Sequence, residues 1–375
     1  MNKFAWLFCG CILALSACSE KQLGPDSGTA DGPEIRFGVS EQGSGTKALI
    51  EADGLAVAGT QLHVFDILTG FNGTVNGQSP VNGELTYIDK TIGYVGSAWP
   101  FVTPATNAAE TPAYYRWTKT GTHKFFGYLT KDPAGNTFTG ATMSGKVLSI
   151  SERALTPATT PQFDFLYSDI ITRDAATGPY TAIPLSMSHL FTALSVELIN
   201  ETIVPIEDVQ VSFIDVHPTQ SATIDWGDPV TETVNNVTKY YPRVTYTPGD
   251  AAELVLGTAD LPGFVEGQTP AVTPLFTDAN DAEEYRLLWP QSDLDAASVK
   301  VTYLASSGTD TVTKSLEDVF KDANETVTNE MVPGCKYLLK ITITAEDLEF
   351  ELLVDPLDEH YYGRDADHSD YLIKP

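Results

Sequence analysis

Apolar and polar residues alternate with a period of two along most of this chain. Glu34-Ile35-Arg36-Phe37-Gly38-Val39 and Leu62-His63-Val64-Phe65-Asp66 do so near the start, and the stretches 193–198, 208–214, 299–303 and 337–343 do so later. In an extended backbone successive side chains point to opposite faces, so each stretch predicts a strand with one face in a core and one in water. Lys124-Phe125-Phe126-Gly127-Tyr128-Leu129 adds an aromatic strand, and Leu348–Val354 is the last long one. A helical period is sustained nowhere past the first residues. One short helix is predicted at Ser315–Phe320, where Ser315 can cap and Leu316, Val319 and Phe320 share a face.

Turn chemistry separates the strands: Asn72-Gly73, Asn76-Gly77, Asn82-Gly83, Gly135-Asn136, Pro248-Gly249, Pro262-Gly263 and Pro333-Gly334. Many short strands with regular turns predict an all-β sandwich architecture. The polar, turn-rich stretch 172–183 precedes a new strand series and predicts two domains, 34–178 and 179–354, followed by an acidic tail, 355–375.

The start of the chain is of another kind. Lys3 precedes an apolar run from Phe4 to Leu15. That run has the length of a signal-peptide core and falls short of the ~20 residues a spanning helix needs. It ends in Leu15-Ser16-Ala17-Cys18, which resembles the bacterial lipoprotein processing motif. The resemblance implies removal of residues 1–17 and acylation of the Cys18 thiol, hence a lipid anchor in the outer membrane. Residues 18–33 are Gly, Ser, Asp and Pro rich and read as a flexible tether.

Charge and cysteine content narrow the function classes. The chain holds 50 acidic and 22 basic residues, a formal net charge of −28. Such a surface repels phosphate backbones, which excludes nucleic acid as a partner. Its four cysteines are Cys9, Cys11, Cys18 and Cys335, and only the last two outlive the leader. That is neither a disulfide framework nor a metal cluster, and Cys335 reads as a small buried hydrophobe at a strand start. Gly43-Ser44-Gly45-Thr46-Lys47 lacks the spacing of a phosphate loop. His360 and His368 among the acids of the tail read as solvated, and His189 reads as a core or strand-end residue with a satisfied ring. No catalytic residue, metal site or cofactor is expected, and the chain is not read as an enzyme.

Several strings together resemble the fimbrillin family of Bacteroidetes, the type V pilins. They are Trp117–Leu129, Asp164-Phe165-Leu166-Tyr167-Ser168, Pro184–Phe191, Trp289-Pro290-Gln291 and Pro333-Gly334-Cys335-Lys336-Tyr337, in this order, downstream of the lipoprotein motif. The resemblance implies two transthyretin-like β-sandwich domains in tandem. It also implies that a trypsin-like protease cuts the loop after the first strand, and that a segment of another subunit then fills the vacated groove. Carried onto this chain, the displaced strand holds Ile35, Phe37 and Val39, and the cut falls between Lys47 and Ala48 in a Gly/Ser-rich loop. The expected partners are other pilin subunits, outer-membrane lipid through Cys18, and a host or bacterial surface ligand. The expected location is the outer-membrane surface, and the fimbria after maturation. The alternative is a glycan-binding surface lipoprotein that does not polymerise. It would stack sugars on Trp99, Tyr114, Tyr115, Trp117 or Trp226, unless these aromatics pack in a core.

Overall fold

A computed structural model describes residues 32–41, 55–71, 74–75, 78–110, 115–157, 162–234, 237–277, 284–292, 294–305, 308–319 and 330–356. The alternating stretches lie in strands, because only that conformation sends their apolar half to one side, except that the first enters its strand only at Phe37, with Glu34 in an isolated bridge before it. The strands form two β-sandwiches in tandem, each with its own core.

The first sandwich pairs a seven-stranded sheet with a four-stranded one. In the larger sheet the order is β1 (Phe37–Glu41), β11 (Ile183–His189), β9 (Leu166–Ser168), β6 (Thr122–Lys131), β2 (Gln61–Thr69) and β3 (Glu84–Gly93), with β10 (Ile171–Asp174) also on β6. The smaller sheet runs β15 (Val237–Pro248), β14 (Thr219–Val234), β8 (Val147–Ala154), β7 (Ala141–Ser144). Between them lies an aromatic-rich core that includes Phe125, Phe126, Phe165, Trp117 and Trp226. A two-strand hairpin, β4 (Val102–Thr103) and β5 (Ala108–Ala109), forms its own small sheet beside β3. The Asn82-Gly83 turn has φ of 52° and 80° at its two central residues, the left-handed pair that Asn-Gly provides at least strain.

In the second sandwich the five-stranded sheet is ordered β17 (Val272–Pro274), β12 (Thr192–Asn200), β21 (Cys335–Ile343), β22 (Leu348–Pro356), with β18 (Arg286–Leu288) also on β12. Facing it are β16 (Ala252–Leu261), β13 (Ile206–Val216), β19 (Ser298–Ala305) and β20 (Gly308–Ser315). Their inner faces supply an aliphatic core: Val196, Leu198, Val211, Val299, Leu339 and Ile341. The short helical turn predicted after Ser315 is present at 316–319, with Leu316 and Val319 buried. Cys335 is buried at the head of β21.

The boundary expected at 178/179 runs through the larger sheet of the first sandwich, since β10 precedes it and β11 follows it. Core membership changes later: Leu190, Phe191 and Ala193 face the first core, Leu194 and Val196 the second. The chain then returns. The β14–β15 hairpin leaves the second half of the sequence and adds to β8, pairing Thr219 with Ala154 through Asp225 with Val147. The turn-rich stretch 172–183 holds the end of β10 and its connection to β11, and polar composition alone cannot separate such a connection from a domain linker.

Candidate functional site

The segment 32–41 occupies a seat built from two ladders of opposite sense. Residues 32–35 run antiparallel to 115–117: Trp117 N–H donates to Pro33 O (3.0 Å), Ile35 N–H to Tyr115 O (2.8 Å), and Arg116 Nη1 to Gly32 O (3.1 Å). Residues 37–41 then run parallel to β11, Phe37 opposite Ile183 and Val39 opposite Leu185. Ile183 N–H donates to Arg36 O (2.8 Å) at the change of partner. On its other side Phe37 bridges Trp99, and Phe101, two residues on, bridges Ile92 of β3. The first strand therefore lies between the two ends of its sheet, with backbone partners on both sides.

The sequence supports this placement. Ile35 and Phe37 are 2% and 6% exposed and belong to the first core, with Val39 packed partly against it. Phe37 meets Phe101 and Phe125 edge-on, each at 6.0 Å between ring centres. Alternation turns Arg36 outward. On β11, Ile183, Leu185 and Met187 are buried. The bond from Ile183 N–H directs that residue's backbone groups to β1, so those of Pro184 point away. The missing N–H of Pro184 thus falls on the side where β9 has not yet begun to pair, since β9 meets β11 only from Met187 onward. At residues 183–186 the ladder partner of β11 is the first strand, with one further bond from Asp169 N–H to Ser186 O (3.2 Å).

Behind the seat lies a polar relay that sequence periodicity did not reveal. His123 Nδ1 is 2.5 Å from Asp66 Oδ2, and its Nε2 is 2.9 Å from Thr118 Oγ1. Both ionisable side chains are wholly buried. The Thr118 hydroxyl donates its hydrogen to Thr120 O (2.9 Å), so the contact with His123 takes its hydrogen from Nε2. Burial raises the Asp66 carboxyl above its ordinary range, outweighing the opposing hydrogen bond and charge of His123 and a backbone hydrogen bond at Lys124. The imidazole stacks on Phe125 (5.6 Å, 4°) and meets Trp117 edge-on (5.0 Å), the residues that hold Phe37 and Pro33. Both His123 and Asp66 occupy inward positions of apolar strands, where alternation signals burial but not chemistry.

The remaining expected sites fall as follows. Cys18, Lys47 and Ala48 lie outside the described residues, as do Tyr114, His360 and His368. His189 ends β11 with its Nδ1 2.9 Å from Asp164 Oδ2, both buried, in the role read for it. Of the candidate sugar-stacking aromatics, Trp117 and Trp226 are core residues, Trp226 donating its Nε1–H to Ser168 O (2.8 Å). Trp99 and Tyr115 are half-buried, Trp99 against Tyr94 and Tyr115 against Tyr87 and Phe101. Among the described residues no group of three or more His, Cys, Asp or Glu is placed to hold a metal ion, and no helix is long and apolar enough to cross a membrane.

Fold and seat define a class: a tandem β-sandwich protein whose opening strand closes its own first sheet. Among solved structures the fold is similar to three from Bacteroidetes. A proposed cell adhesion protein from Bacteroides uniformis is 16% identical at a TM-score of 0.46, over 86% of this chain and 98% of that one. A fimbrial protein from Bacteroides vulgatus is 12% identical at 0.45, over 86% and 99%. The tip fimbrial protein Mfa3 from Porphyromonas gingivalis is 9% identical at 0.38, over 86% and 100%. No family model and no curated protein sequence matches the chain.

Proposed function

We propose that this protein is a non-enzymatic structural or adhesive subunit of a surface fimbria. It is tethered first through Cys18, cut between Lys47 and Ala48, and assembled by strand exchange at the seat of residues 32–41. The observation that carries this reading is the seat itself. Its occupant is a single short segment, held by backbone bonds to 115–117, a parallel ladder to β11 and one bridge from Phe37 to Trp99, with Ile35 and Phe37 filling core positions. Departure of that strand would bare unpaired N–H and C=O groups and two apolar pockets, which an added strand satisfies together.

Limited trypsin digestion of the full precursor tests it. The expected result is a new N-terminus at Ala48, followed by oligomers that resist SDS. A chain cut there that stays monomeric would remove the assembly step, and a chain refractory at Lys47 would remove the maturation step.

A further inference from the structure

The seat discriminates among occupants, and its rules are written in the strand it holds. Three positions constrain it. At Gly32 a Cβ would collide with the carbonyl oxygen of Trp117 and lie 2.9 Å from its Cβ, which is main-chain or main-chain-attached structure fixed in the core. At Ile35 the side chain is buried in the first core, and at Phe37 the ring is held edge-on by Phe101 and Phe125. Gly38 is different: a Cβ there would meet nothing nearer than Ala182 Cβ at 4.0 Å. Arg36 points to solvent. Direction is constrained too, because the antiparallel contacts with 115–117 change to parallel pairing with β11 at Arg36. A reversed strand would invert both ladders and misplace their donors.

We infer that the seat takes, from a partner subunit, an extended strand with glycine, a branched aliphatic residue and an aromatic residue at the offsets of Gly32, Ile35 and Phe37. It enters with its glycine end along 115–117. This inference rests on the strand-exchange reading and specifies its partner. The acidic residues 357–375 do not meet the rule: aligned on Gly363, they place Ala366 and His368 at the two pocket offsets.

Two measurements test it. In the chain left uncut at Lys47, Gly32→Ala and Phe37→Ala are expected to lower the melting temperature, whereas Gly38→Ala leaves it unchanged or raises it. Equal effects of the two glycine substitutions would overturn the rule, and this comparison needs no exchange. In the full chain nicked at a protease site placed within 42–54, labelled peptides then compete for the seat. A peptide of residues 32–41 is expected to displace the resident strand at concentrations at least about tenfold below its Gly32→Ala or Phe37→Ala versions. A peptide of residues 357–375 is expected not to compete. Equal competition by the substituted peptides, or by the tail peptide, overturns the inference. If no peptide exchanges, the strand-exchange reading fails, while the melting comparison still decides whether the seat selects by these offsets.

Discussion

At the scale of single residues, the consequential chemistry is the buried relay of Asp66, His123 and Thr118. Removing one member leaves the other ionisable group buried without its partner. His123→Ala is therefore expected to cost about 3–5 kcal/mol, read from urea unfolding. The pH response follows from the raised carboxyl. Below the ordinary value of 3.8, Asp66 is protonated in folded and unfolded chains alike, and its contribution is complete. As pH climbs from there through the higher folded value, the unfolded chain releases its proton first and the folded state loses stability. Across that window the urea midpoint of the unsubstituted chain should fall relative to that of Asp66→Asn, which cannot ionise. Parallel midpoints for the two proteins would show that the carboxyl is not raised. His189 is legible in the sequence as a satisfied strand-end residue, whereas His123 is not. Both lie on apolar strands, and only the approach of β2 to β6, with Asp66 opposite Phe125, brings a carboxyl to the second one.

At the scale of elements, the first strand is the unit on which assembly turns. Phe37→Ala removes a buried ring flanked by two others, and large-to-small changes of this kind cost about 3–5 kcal/mol. The same substitution should raise trypsin sensitivity at Lys47 in a timed digest, since a loosened strand opens the chain that follows it more often. The strand itself was legible from Ile35, Phe37 and Val39. Its partners were not. Alternation states which side chains face inward, and it is silent on whether the neighbour is parallel, antiparallel or different on each side. The parallel pairing with β11 joins residues more than a hundred positions apart, and the switch to 115–117 depends on a loop placed by other strands.

At the scale of the whole molecule, the two sandwiches share chain and a polar junction. Gln291 Oε1 accepts from His217 N–H (2.8 Å), and its Nε2 donates to His217 O (3.2 Å) and Trp289 O (2.9 Å). Its backbone exchanges two bonds with Met331, which belongs to the second core, while Trp289 packs on Phe191 in the first. Gln291→Leu leaves the His217 N–H without its acceptor and should cost about 1–3 kcal/mol. Calorimetry should show one transition in the unsubstituted chain, and the substituted chain should melt lower. Two separate transitions in the unsubstituted protein would show that the cores unfold independently despite the β14–β15 hairpin.

The sequence by itself determined the all-β class, the inward and outward faces of the principal strands, the Asn-Gly turn and the buried character of Cys335. These depend on local backbone geometry and on the period of two, which are properties of neighbouring residues. Only the tertiary structure decided that the first strand is held on both sides, that Asp66 and His123 meet in the core, and that a hairpin from the second half completes the first sandwich. Each of these joins residues far apart in the chain, and hydrophobic burial, being non-directional, leaves the choice of partner to the packing of the whole.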